Sequence, residues 1–149
     1  AAVTRSKDFE EVLALSMCNG IELKAVEVGS WQRAKGNDIV SNWLSSGMKI
    51  DIVFANNDEM GLGAVQAFKN AGISMDDVLI GSVDATADAL ASMKAGELDV
   101  TVFQNAAGQA TGGIDAAIAA INGESLPNSV TIPFELVTPS NMAEYMGAN

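Results

Sequence analysis

Helix-like and strand-like periods alternate along this chain with almost no linker between them, and that order leaves few folds open. Phe9, Val12, Leu13 and Met17 fall at helical spacing, and Asn19-Gly20 closes that helix. A strand follows at 23–28. A helix at 32–46 then carries Ile39, Val40, Trp43 and Leu44 on one face, and the strand at 50–55 is apolar except for Asp51. The same beat continues as helix 58–71, strand 78–82, helix 86–95, strand 98–103 and helix 106–122, with glycine or Asn-Gly as the stops. Val130, Ile132, Phe134 and Leu136 alternate as a further strand, placed at an edge or a bulge by Pro133, and a short helix is expected at 140–146. Such alternation predicts the α/β class: a Rossmann-like parallel sheet with helices on both faces. The chain opens on a helix with no strand before it, so the sheet lacks a first member and the chain reads as a fragment.

Composition narrows the chemistry. At 149 residues, 48% apolar and 18% charged, the chain can build one modest core. No apolar run approaches the eighteen or so residues of a membrane span, and the first residues do not read as a secretory leader. The net charge of −11, without a basic cluster, argues against a nucleic-acid partner, because neutralising phosphates supplies most of that affinity. Histidine is absent, which removes the commonest general base and transition-metal ligand. The lone Cys18 sits on the apolar side of a helical pattern and reads as a small buried hydrophobe. No catalytic residue, metal site or cofactor is expected.

The strand ends carry the positive signal. The strand at 24–28 runs into Trp31, that at 50–55 into Asn57 and Asp58, that at 78–81 into Asp84, and that at 98–103 into Gln104. In an open α/β sheet, ligands sit beyond the carboxyl ends of the strands. Trp, Asn, Asp and Gln gathered there suit a neutral sugar, offering an aromatic face for its C–H side and planar polar groups for its hydroxyls.

Each residue also has a plainer reading. Asn57 or Asp58 caps the following helix, Thr86 caps the next, and a Trp in a turn such as Trp31 is commonly packing. Arg5 lies in a first helical turn, where the helix dipole disfavours a cation, which hints that something else requires it. Gly-Leu-Gly-Ala (61–64) lies inside a helix and lacks the third glycine of a dinucleotide loop. A phosphorylated Asp51 or Asp58 would need an acidic magnesium cluster and a late lysine, and neither is in place.

In combination the segments resemble the sugar-binding proteins of bacterial ABC transporters, in the ribose-binding branch of the type I periplasmic binding fold. The resemblance rests on Phe-Ala-Asn-Asn-Asp-Glu-Met-Gly-Leu-Gly-Ala (54–64), Gly-Ser-Val-Asp-Ala-Thr-Ala-Asp-Ala (81–89), Ser-Trp-Gln-Arg-Ala-Lys-Gly (30–36), Val-Thr-Val-Phe-Gln-Asn (100–105) and the opening nine residues. It covers the whole chain, as the C-terminal half of a two-lobed protein. Asp8 stands where that family usually has glycine, and Val83 where an aromatic is common.

The resemblance implies that Arg5, Asn57, Asp84 and Gln104 hydrogen-bond sugar hydroxyls or the ring oxygen, that Trp31 stacks on the ring and that Val83 lines the pocket. It implies that residues 1–104 belong to the second lobe, that 105–134 cross to the first lobe, and that 135–149 return. Helix 106–122 would then need the missing N-terminal half, or a homo-oligomer partner, to cover its apolar stripe. The implied function is a periplasmic binding component that closes on a monosaccharide or cyclitol, ribose-like or inositol-like, and delivers it to an ABC permease. The alternative is the effector-binding domain of a sugar-responsive transcriptional repressor of the lac-repressor type. A third reading makes Asp58 and Asp84 the acid–base pair of a sugar-processing enzyme.

Overall fold

The computed structural model describes residues 2–147. Helix α1 (Ala2–Leu13) is followed by a 3-10 turn at Ser16–Cys18, an extended stretch over 21–29, and helix α2 (Arg33–Ser45). Then come β1 (Ile52–Phe54), α3 (Asp58–Asn70), β2 (Leu79–Gly81), α4 (Ala87–Lys94), β3 (Thr101–Gln104), α5 (Ala106–Ile121) and β4 (Phe134–Val137). β1 and β2 pair in parallel, with Val53 opposite Ile80. Parallel bridges from Gly81 to Val100 and from Asp84 to Phe103 carry the sheet on to β3. β4 closes that edge antiparallel to β3, with Gln104 opposite Phe134. The parallel α/β expectation therefore holds, and the last strand starts four residues later than its alternating pattern begins at Val130.

The strand expected at 23–28 does not form. Its residues are extended, but among the described residues no strand lies beside them to complete a ladder, and a lone strand leaves its backbone groups without partners.

The helices start and stop for local reasons. The Asn57 side chain accepts from the Met60 amide at 3.1 Å, and the acidic Asp58 and Glu59 favour the positive end of α3. Thr86 caps α4 in the same way through the Ala89 amide. α3 stops at Gly72, whose φ of +71° suits glycine.

The core lies between the sheet and α2, α3 and α4. Val53, Ile80 and Phe103 meet Val40, Phe68, Leu90 and Met93 there. α2 and α3 pack backbone to backbone: a Cβ on Gly63 would lie 2.2 Å from the Arg33 carbonyl oxygen, and one on Gly36 2.5 Å from that of Met60. Of the glycines of 61–64, Gly63 thus serves helix packing, while a Cβ on Gly61 would lie 3.0 Å from that of Ser82. On the opposite face α1 lays Phe9 flat on Phe54, with ring centroids 4.6 Å apart. α5 has no buried residue; Ile114, Ile118 and Ile121 all stand exposed. Among the described residues no helix is long and apolar enough to cross a membrane.

Candidate ligand-binding site

The turns that follow the strands, or the strand-like stretch, carry unusual backbone. Ser30 and Trp31 have φ of +51° and +65°, and Asp84 and Ala85 have φ of +128° and +53°. Side-chain-bearing residues held there cost on the order of 1–3 kcal/mol each, and such strain clusters at functional turns. These two pairs are the only described non-glycine residues with positive φ.

The expected site residues form one continuous chain of contacts. The Arg5 guanidinium lies 5.8 Å from the Trp31 ring centroid, in cation–π range, and also donates to the Asn56 carbonyl. The Asn57 side chain donates to the Trp31 carbonyl at 3.3 Å. The Asp58 amide donates to the Val83 carbonyl at 2.8 Å, which seats the Val83–Asp84 turn on the start of α3. Gln104 then donates its Nε2 to Asp84 Oδ1.

Their exposure differs. Trp31 is 44% exposed and offers a ring face, whereas Val83 is 6% exposed and lies under the turn. Asn57 is buried, with both ends of its amide engaged in positioning α3 and Trp31. Burial raises the Asp84 pKa above the ordinary carboxylate value of 3.8, opposed by the Gln104 hydrogen bond, raised further by Asp58, and opposed again by the Arg5 charge. The arrangement offers a cation, a carboxylate, a carboxamide and an aromatic face in series, open to solvent on one side.

Asp58 has a different task from those weighed for it. It is fully buried and accepts from the Ser82 and Thr101 hydroxyls and from the amide and hydroxyl of Thr86. A carboxylate so enclosed ties the start of α3 to β3 and α4 and cannot meet a substrate, which removes the acid–base reading with Asp84. Arg33, given no role from its residue type, forks onto Glu59 at 2.7 and 3.0 Å and reaches Asp88 at 2.8 Å, and these carboxylates raise its pKa. Its neighbours lie far along the chain, so no local signal marked it. Among the described residues no group of three His, Cys, Asp or Glu could hold a metal ion.

Residues 1–125 match the family model described as a periplasmic binding protein domain. The chain belongs to that family. It is 55% identical, over its whole length, to a Rhizobium meliloti protein named for rhizopine binding, and covers 48% of that protein. It is 33% identical to a xylitol-binding protein of Mycolicibacterium smegmatis, over 94% of this chain and 39% of that one. An ABC-transporter solute-binding protein from Bacillus halodurans, solved with bound myo-inositol, superposes with a TM-score of 0.90 at 41% identity, over 99% of this chain and 50% of that one. The chain thus spans between 39% and 50% of the length of these relatives. All three are binding proteins and not enzymes, in agreement with the reading from composition.

Proposed function

We propose that this chain supplies one wall of the ligand cleft of an ABC-transporter solute-binding protein that takes a cyclitol or monosaccharide and hands it to a permease in the periplasm. The observation that carries the reading is the unbroken run of contacts from Arg5 over Trp31 through Asn57 and Val83 to Asp84 and Gln104, at the carboxyl ends of the strands. Asp84 and Arg5 provide charged partners for hydroxyls, and charge-assisted hydrogen bonds are the stronger kind. Trp31 offers its exposed ring to a C–H face, while Asn57 and Val83 shape the turns beneath.

A wall open to solvent retains little of the gain from burial, so firm binding needs a second wall. Residues 105–134 would cross to it and residues 135–149 return, and the exposed Ile114, Ile118 and Ile121 of α5 would pack there or against another copy of the chain. A cyclitol is favoured over ribose by the bound myo-inositol of the 41% identical relative.

The test is calorimetric titration of this chain alone and within a two-lobed protein of its relatives' length, against myo-inositol, xylitol, ribose and hexoses. Tight binding confined to the two-lobed form is expected, and it should be lost on Asp84→Ala. Failure of every polyol in both forms would overturn the reading.

A further inference from the structure

The turn between β2 and α4 carries strain that something must hold. Asp84 and Ala85 sit there with φ of +128° and +53°, and neither is glycine. The backbone groups of this turn are tied down one by one. The Val83 carbonyl accepts from the Asp58 amide at 2.8 Å, and the Asp84 amide donates to the Val102 carbonyl at 2.9 Å. The Ala85 amide donates to the Thr101 hydroxyl at 3.1 Å, and the Thr86 amide to Asp58 Oδ2 at 2.7 Å.

Asp58 stands behind most of these ties. Its amide holds one end of the turn and its carboxylate the other. Its hold on the middle runs through Thr101, whose hydroxyl has one proton and gives it to Asp58 Oδ1 at 2.7 Å. Only lone pairs of that oxygen then remain for Ala85, so toward the turn the hydroxyl is an acceptor. Asp58, Ala85 and Thr101 are all fully buried. Swinging the Ala85 amide away from Thr101 would break a bond out of reach of water, at a cost of the same order as the strain. A buried carboxylate is a weak route to stability, because well-packed apolar residues serve as well. What this one adds is the geometry of the turn.

We propose that Asp58, acting through Thr101, is a positioning residue for the ligand: it fixes the Asp84–Ala85 turn and so sets where the Asp84 carboxylate meets a hydroxyl. The inference rests on the reading of Asp84 as a ligand partner. Asp84 is half-buried, with Gln104 donating to its Oδ1, so its aim depends on the backbone beneath it. Asp58 and Thr101 are sealed from solvent and act only through what they hold. The clamp also spans the strand ends. Asp58 follows Asn57 beyond β1, and Thr101 shares β3 with Gln104. One buried pair therefore sets the spacing between the turns that carry Asn57 and Asp84 and the strand that carries Gln104.

The experiment uses the two-lobed protein, with myo-inositol as the probe, or whichever of xylitol, ribose and the hexoses the parent binds best. Thr101→Val keeps the shape of the side chain and removes the hydroxyl, whereas Thr101→Ser keeps the hydroxyl. Phe68→Leu, a core change at the far end of α3, is the control for lost stability alone. Hydrogen exchange without ligand reads the turn at the Ala85 amide, and Ile80 reports the folded core. Thr101→Val should speed exchange at Ala85 about 100-fold with Ile80 still protected, and weaken the probe about tenfold. Thr101→Ser should restore both, and Phe68→Leu should change neither. Unchanged affinity in Thr101→Val, an equal loss in Phe68→Leu, or no rescue by Thr101→Ser overturns the inference. A parent protein that binds no polyol overturns the ligand reading and this inference with it. A parent that binds while Thr101→Val binds equally well overturns the inference alone. Should Thr101→Val not fold, Thr101→Cys, whose sulfur is a weaker acceptor, is read against the same outcomes.

Discussion

Asp58 accepts the hydroxyl of Thr101 at 2.7 Å, across 43 residues of sequence. Ser82 and Thr86 share the same carboxylate, so one buried charge holds the start of α3, the end of β2, the cap of α4 and β3 together. Those are the elements that carry Asn57, Val83, Asp84 and Gln104.

Asp58→Asn should destabilise the fold by about 3 kcal/mol, because an amide turns donors toward donors where a carboxylate accepted all four. Thr101→Val should cost about 2 kcal/mol, since it also removes the acceptor of the Ala85 amide. Urea unfolding followed by circular dichroism measures both, and near-neutral values would show that Asp58 is not the tie described.

The Asp84 pKa is raised in the fold, chiefly by burial. The folded state then holds that proton more tightly than the unfolded state, so this group's contribution to stability falls as pH rises from the ordinary value of 3.8 through the raised one. Asp84→Asn should remove that fall, so its melting temperature relative to the parent protein should improve from pH 3 toward pH 7. In the two-lobed protein, ligand affinity should weaken on acidification already above the usual carboxylate range. A parallel pair of melting curves would refute the assignment.

Two glycines should respond in opposite directions to alanine. At Gly63 the added methyl meets the Arg33 carbonyl at 2.2 Å and the Asn37 amide nitrogen at 2.7 Å, so α2 and α3 must separate, at a cost of about 3 kcal/mol. At Gly113, within α5, nothing lies within 4 Å, and alanine should stabilise by about 0.5–1 kcal/mol through helix propensity. Thermal unfolding of the two variants checks the contrast.

Trp31 should report the ligand directly. With Trp43→Phe removing the second indole, addition of myo-inositol to the two-lobed protein should change the remaining emission. Trp31→Ala should weaken binding by about tenfold, a loss of about 1.4 kcal/mol of stacking. An unresponsive Trp31 would return it to a packing role.

The bare stripe of α5 should drive association. Light scattering of the chain alone at micromolar concentration should show more than the monomer mass, and Ile114→Ser with Ile118→Ser should reduce it. A strictly monomeric parent chain would contradict this.

The class of fold, the order of its elements and the residues at its strand ends were legible in the sequence. Each rests on local signals: a period of two or 3.6, a capping Asn57 or Thr86, a stopping glycine. Only the tertiary structure decided what those elements do for one another. The 23–28 stretch has strand character, yet a strand exists only beside another. The roles of Asp58 and Arg33 depend on partners 24 to 55 residues away, which no local pattern encodes. The strain at Trp31 and Asp84 arises from where the chain must turn and what packs around it. Periodicity belongs to a segment, whereas pairing, burial and strain belong to the whole arrangement.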